Sequence, residues 1–274
     1  MSIGDISLSA SARANLTALQ STASLLQTTQ EQLATGKKVN SAVDNATAYF
    51  ASQGFLNRAN QLSNVKDSLS TSLQTVTSTT SSITDVSNVI NQLSGLVTQA
   101  LGTTDSTTRS GLATQFNSLM TQLDQLVNDA NFNGTNLLNS TSTTLVVYFN
   151  ETNKTALTIT GVNVTAAGLG VIAATNAFAD TAAIQISQSL LLTALSTLRT
   201  DAASFGGNAT LIQTRQDFTT NLINSLQTAS DNLILADTNQ AGANLQALQA
   251  QNQLGIVSLG ISGQLAQSVL RLFP

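Results

Sequence analysis

Cysteine, histidine and tryptophan are absent from this 274-residue chain, and its one proline is the last residue, Pro274. Each absence closes a class of chemistry. Without His or Cys there is no Ser-His-Asp or Cys-His relay, no imidazole or thiolate metal site and no disulfide framework. Charge is scarce as well, at 9% of residues with a net −4, which offers nucleic acid no basic footprint. In place of charge stands uncharged polarity: Ser, Thr, Asn and Gln supply 119 of the 274 residues, beside 42% hydrophobic residues. That apolar share suffices for a core, so wholesale disorder is not expected.

Long apolar runs are also missing. Residues 1–8 have neither a basic start nor a continuous apolar stretch, so no cleaved signal peptide is expected. The most membrane-like segment, Leu254 to Leu270, is charge-free but interrupted by Ser258, Ser262, Gln264, Gln267 and Ser268. A spanning helix needs about 20 predominantly apolar residues, so no membrane insertion is expected.

Apolar periodicity predicts helices at both ends. Leu8, Ala12, Leu16, Leu19, Ala23, Leu26 and Leu33 follow spacings of three and four until Gly36. Leu62, Leu69, Val76, Ile83, Ile90 and Val97 then stand seven apart without a miss, a heptad seam. A turn is expected from Gly102 through Ser110, followed by a third helix through Leu112, Phe116, Leu119, Leu123 and Leu126. Thr143–Phe149 and Thr155–Val164, rich in β-branched residues, read as a β hairpin. Helical spacing resumes with Ile184, Leu191, Leu195 and Leu198, continues through Leu211, Phe218, Leu222, Ala229, Leu233 and Ala236, and ends with Leu245, Leu248, Leu254, Ile261, Leu265, Val269 and Leu272. The expected fold is therefore mainly α: a long helical coiled-coil bundle of N- and C-terminal arms with a small β-hairpin insertion.

Motifs that suggest chemistry lack their context. Gly168-Leu169-Gly170-Val171-Ile172-Ala173 matches a dinucleotide fingerprint in letters, but no βαβ unit surrounds it. Thr35-Gly36-Lys37 lacks the upstream glycine of a phosphate loop and fits a helix end with lysines near its dipole. Carboxylate pairs such as Asp124/Asp129 and Asp44/Asp67 fit solvated or capping acids. No catalytic, cofactor or metal residue is assigned, and no enzyme is expected. Runs such as Thr75–Thr84 are weak helix formers, and Thr238–Leu270 carries no charge. Uncharged polar side chains cost less to bury than ions when they find partners, so these faces are expected to pack against protein.

Three stretches, in order, resemble bacterial flagellin. Gln32-Leu33-Ala34-Thr35-Gly36-Lys37-Lys38-Val39-Asn40-Ser41-Ala42-Val43-Asp44-Asn45-Ala46 is similar to the family's N-terminal signature, and Asn131-Phe132-Asn133-Gly134 to the loop preceding its variable region. Ala236-Asp237-Thr238-Asn239, with the ending Gln267-Ser268-Val269-Leu270-Arg271-Leu272, resembles the C-terminal signature. The likeness covers about residues 1–138 and 182–274.

The resemblance implies a subunit that self-polymerises into the flagellar filament for swimming motility, in a short form without large outer domains. It implies an N-terminal inner-core helix and turn (1–44), outer-core helices (45–138), a variable hairpin region (139–181), a C-terminal outer-core helix (182–237) and an inner-core helix (238–274). The self-assembly seam would comprise Leu16, Leu19, Leu26, Leu33, Leu248, Leu254, Ile261, Leu265 and Val269, and the outer-core heptad the six residues from Leu62 to Val97. Ser140, Thr141, Ser142 and Thr143 are candidate O-glycosylation sites. Implied partners are identical or paralogous flagellins, the cap protein, the hook–filament junction protein, an export chaperone and the type III export gate, through which the chain leaves the cell unfolded. No cofactor is implied. The alternatives are a hook–filament junction protein and a secreted helical binding module. Ala46 and the Asn-Phe-Asn-Gly loop favour the filament subunit over the junction protein.

Overall fold

The computed structural model describes residues 10–272, so Leu8 of the first stripe lies outside the described residues. The elements are α1 (Ala10–Thr35), α2 (Ala42–Leu101), α3 (Ser106–Asp129), β1 (Thr144–Tyr148), β2 (Ala156–Thr160), α4 (Thr181–Ile234) and α5 (Thr238–Leu272). The chain is mainly α, with one two-stranded antiparallel sheet among the described residues.

Several of the few acids stand at helix starts, where unpaired N–H groups and the helix dipole favour a carboxylate. Asp105 accepts from the Thr108 N–H at 2.7 Å, Asp180 from Ala183 at 2.7 Å, and Asp237 from Asn239 at 2.9 Å and Gln240 at 3.1 Å. Asn45, in extended conformation inside the span of α2, accepts from Ala48 at 3.0 Å and caps the long helix that follows. The cap at Asp105 corrects the sequence expectation of a turn through Ser110: α3 begins at Ser106. Local capping outweighs the weak propensity of the Ser/Thr run.

The hydrogen bonds from Thr108 hold the Asp105 carboxyl below its ordinary range. A depressed folded-state value stabilises the fold above the unfolded carboxylate value and loses that effect as pH falls through the folded one. Asp105→Ala is therefore expected to lower the melting midpoint at neutral pH, and the gap to the parent should close on acidification. A gap that stays constant from neutral pH to below pH ~3 counts against the cap.

The chain forms two compact units, one containing the segments up to residue 57 and from residue 225, the other residues 58–224. In the second, the heptad face of α2 is buried: Leu62, Leu69, Val76, Ile83, Ile90 and Val97 are all at most 2% exposed. From Leu69 on, it shares one cluster with Phe116 and Leu123 of α3, Val147 and Ile159 of the hairpin, and Ile184, Leu191 and Leu198 of α4. One described helix, α4, is long and apolar enough to cross a membrane by length and composition. In this fold its residues Ile184, Leu191, Ala194 and Leu198 are in the core.

The α4 stripe differs from the sequence expectation. Leu211 and Phe218 are exposed, whereas Phe205, Ile212, Thr219, Ile223, Leu226, Ser230 and Ile234 are buried. Small hydroxyl residues occupy seam positions and conceal the true register from a count of large apolar residues. These seams tolerate hydroxyls because each bonds back to the carbonyl one turn earlier: Thr79 to Thr75 at 2.8 Å, Ser187 to Ala183 at 3.3 Å and Thr219 to Arg215 at 2.8 Å. Ser52 and Ser230, both fully buried, pair with each other at 2.9 Å. Among the described residues no buried side-chain nitrogen or oxygen lacks a partner, so the polar composition is reconciled with a core.

In the hairpin, Leu145 pairs with Ile159 and Val147 with Leu157, and this face packs on the helices. The segment between β2 and α4 is irregular but pinned. Asp124 accepts from the Ala166 N–H at 2.7 Å and Asn117 from Ala174 at 2.8 Å. The dinucleotide-like glycines fall in a tight turn within this segment, where Leu169 and Val171 are buried. Buried Arg109 on α3 donates to the carbonyls of Ala100, Thr103 and Ala179 at 3.2, 2.8 and 3.3 Å. It ties the C-terminal end of α2, where the dipole is negative, to the entry of α4.

Candidate assembly surface

The unit that joins both chain ends is built on the antiparallel pairing of α1 with α5. On α1 the inward positions are Ala12, Asn15, Leu19, Thr22, Leu26, Thr29 and Leu33, with Ala12, Thr22 and Thr29 buried and the others half-buried. Spacings of three and four keep one narrow stripe toward a partner helix. The buried hydroxyls again fold back, Thr22 to Ala18 at 2.9 Å and Thr29 to Leu25 at 2.8 Å. On α5 the facing row is Ala241, Leu245, Leu248, Asn252, Gly255, Leu259 and Ser262, with Ala241 buried and the rest half-buried.

Two observations fix the register. Asn15 donates to Ser258 at 3.2 Å and Ser262 at 3.4 Å. A Cβ on Gly255 would lie 2.6 Å from Leu19 Cδ1, so the Leu19 side chain rests directly on the glycine.

The sequence-derived seam thus occupies two different faces. Leu16, Leu19, Leu26 and Leu33 are half-buried, as is Leu248. Leu254, Ile261 and Leu265 are exposed, at 70%, 53% and 61%, as is Val257. The side chain of Val269 lies outside the described residues. The six-residue step from Leu248 to Leu254 explains the divergence. It turns an α-helix by about 600°, or roughly 240° beyond one full turn, onto another face. Leu254, Val257, Ile261 and Leu265, spaced by three and four, form an exposed apolar row that flanks the side paired with α1, with Leu254 at the edge of the α1–α5 groove. No charged residue flanks this row between Thr238 and Leu270.

The two terminal signatures meet in this same unit. Gly36 ends α1 in the left-handed region (φ 69°), where a residue without Cβ is favoured. Its carbonyl accepts from Ala236 at 2.9 Å, and the Lys38 N–H donates to Ile234 at 2.7 Å. Lys38 Nζ reaches the Asn232 carbonyl at 3.1 Å. The lysine therefore serves the C-terminal end of α4 rather than α1, the helix that precedes it in sequence. Asp44 closes the turn by accepting from the N–H groups of Asn40 and Ser41 at 2.9 Å, which lowers its pKa. The reciprocal bonds between Phe132 and Thr135, both 3.0 Å, close the Asn-Phe-Asn-Gly turn in the other unit. All three motifs are junctions that join or end helices. Sequence reasoning missed the pairing of the first with the last, because nothing local signals a contact across about two hundred residues.

Of the candidate modification sites, Thr141 and Ser142 are exposed, while Ser140 and Thr143 are half-buried. Ser140 Oγ accepts from the Ser142 N–H at 3.1 Å. Among the described residues no group of three His, Cys, Asp or Glu could hold a metal ion.

Comparison with known proteins agrees with this construction. The family profile of the bacterial flagellin N-terminal helical region matches residues 6–143. Over 274 residues, covering all of both chains, the sequence is 31% identical to Flagellin FljM and 30% identical to Flagellin FljO of Caulobacter vibrioides. The fold is similar to that of a putative flagellar hook-associated protein from Vibrio parahaemolyticus. That likeness has a TM-score of 0.58 at 14% identity and covers 70% of this chain and 100% of the other.

Proposed function

The chain belongs to the bacterial flagellin family, a family of structural flagellar proteins, and from that premise we propose that it is a subunit that polymerises into the extracellular flagellar filament. The observation that carries this is the row Leu254, Val257, Ile261 and Leu265, left exposed beside the face of α5 that pairs with α1. A contiguous apolar row of this kind marks a protein contact, and the absence of nearby charge lets identical copies meet without like-charge repulsion. Residues 1–44 and 238–274 form the inner core of the filament, 45–138 and 182–237 the outer core, and 139–181 a short surface region. Thr141 and Ser142 are the accessible hydroxyls for glycosylation there. The chain leaves the cell unfolded through the flagellar type III gate, carried by an export chaperone, and adds beneath the cap protein onto filament started at the hook–filament junction. A chain without Cys or internal Pro meets neither cross-links nor slow X–Pro isomerisation on refolding.

Negative-stain microscopy of the concentrated, purified protein tests this, with filaments as the expected result. Limited proteolysis should cut α1 and α5 faster in the monomer than in the polymer, since the α1–α5 pair buries few of its side chains on its own and opens locally. A stable monomer at high concentration, as expected of a helical binding module, or equal protection in both states, overturns it. The likeness to a hook-associated protein is one of fold alone.

A further inference from the structure

We propose that the cleft between α2 and the β hairpin is a binding site for a neutral saccharide. The cleft has a volume of about 550 Å³, within the range of small-molecule sites, and lies inside the unit of residues 58–224. Gln61 and Asn64 line it from α2, and Tyr148, Glu151 and Asn153 from the hairpin. The carboxamides are its main uncharged polar groups. Helix hydroxyls elsewhere spend their donors on carbonyls one turn back, whereas the side chains of Gln61, Asn64 and Asn153 carry no hydrogen bond among the described residues. Each presents two N–H donors and a carbonyl acceptor. Vicinal sugar hydroxyls, each a donor and an acceptor, are a chemical match for that set.

The remaining groups narrow the class. Tyr148 is 43% exposed and offers a ring for the apolar C–H face of a pyranose. Arg58 Nε donates to Glu151 Oε1 at 2.9 Å. The pair balances charge at the cleft and leaves Glu151 Oε2 as an acceptor for a hydroxyl. An anion such as phosphate would meet that carboxylate, and a lipid chain would meet three exposed carboxamides in place of apolar surface. This inference is independent of polymerisation and concerns the monomer.

The chain supplies its own probe, since it has no Trp and only two tyrosines, Tyr49 and Tyr148. In Tyr49→Phe protein, Tyr148 is the one emitter. Maltose, cellobiose, lactose and N,N′-diacetylchitobiose are titrated separately into the millimolar range, with far-UV circular dichroism as a check on folding. At least one should give a saturable fluorescence change, weakened about tenfold by Asn64→Ala, the loss of one well-placed hydrogen-bonding group. Gln115→Ala, in a different cleft between α2 and α3, should leave the titration unaltered. The proposal is overturned if none of the four saturates, if Asn64→Ala binds as the parent does, or if Gln115→Ala weakens binding equally.

Discussion

Ile261→Asp is expected to leave the isolated chain folded and to abolish its polymerisation. The residue is 53% exposed, next to Ser262, which meets Asn15 of α1, so in the monomer the carboxylate stays hydrated and the chain stays folded. In the proposed filament the same position is covered by another copy. A carboxylate buried there without a partner costs several kcal/mol per subunit, and each 1.4 kcal/mol is tenfold in an equilibrium constant. The critical concentration for assembly should therefore rise by about two orders of magnitude or more, measured by sedimentation of polymer against total protein. Ile261→Val, which keeps the surface apolar, should assemble close to normally. Circular dichroism separates the outcomes: a folded Ile261→Asp chain that forms filaments at the parent's concentration refutes the role given to this row. The same substitution at Leu248 would instead damage the internal pairing, because that side chain faces α1.

Phe116→Ala is expected to cost about 3–5 kcal/mol of stability, the range for emptying a buried aromatic site. Phe116 is fully buried on α3, and Phe178 meets it edge to face with ring centroids 5.4 Å apart. That contact does more than fill space. Asn176, Ala177 and Phe178 stand consecutively in the left-handed region, at φ 50°, 51° and 61°, a conformation that costs non-glycine residues about 1–2 kcal/mol each. The chain tolerates it because Phe178 is buried in the core and Arg109 holds the Ala179 carbonyl at 3.3 Å. Removing the Phe116 ring should lower the denaturation midpoint and speed amide exchange between residues 174 and 180 more than in α4. A loss below about 1 kcal/mol, at the level of an ordinary surface change, or an equal change in this segment and in α4, would show that the ring pair does not hold this segment.

Much of this protein is legible in the spacing of its residues. Seven-residue spacing from Leu62 to Val97 leaves one face for a helix to bury, and that face is buried. Alternating β-branched residues around Asn150–Lys154 point to the hairpin, since a period of two suits a strand and not a helix. The α4 register is not legible in this way. Thr219 and Ser230 lie in the seam while Leu211 and Phe218 lie outside it, and no apolar count shows that a hydroxyl bonded to its own helix can be buried cheaply.

The sequence by itself determined the exclusions, the helix and hairpin periods and the ordered terminal motifs, because each depends on residue type or on spacing within a single element. Tertiary structure alone decided that the turn after Gly36 bonds to the end of α4, that Lys38 serves a helix other than its neighbour, and that α5 turns Leu248 toward α1 while leaving Leu254, Ile261 and Leu265 uncovered. These are contacts between segments far apart in the chain, and local propensity carries no information about which face meets which partner. The scarcity of charge left both sides of α5 able to pack. The fold pairs one row with α1 and leaves the neighbouring apolar row exposed.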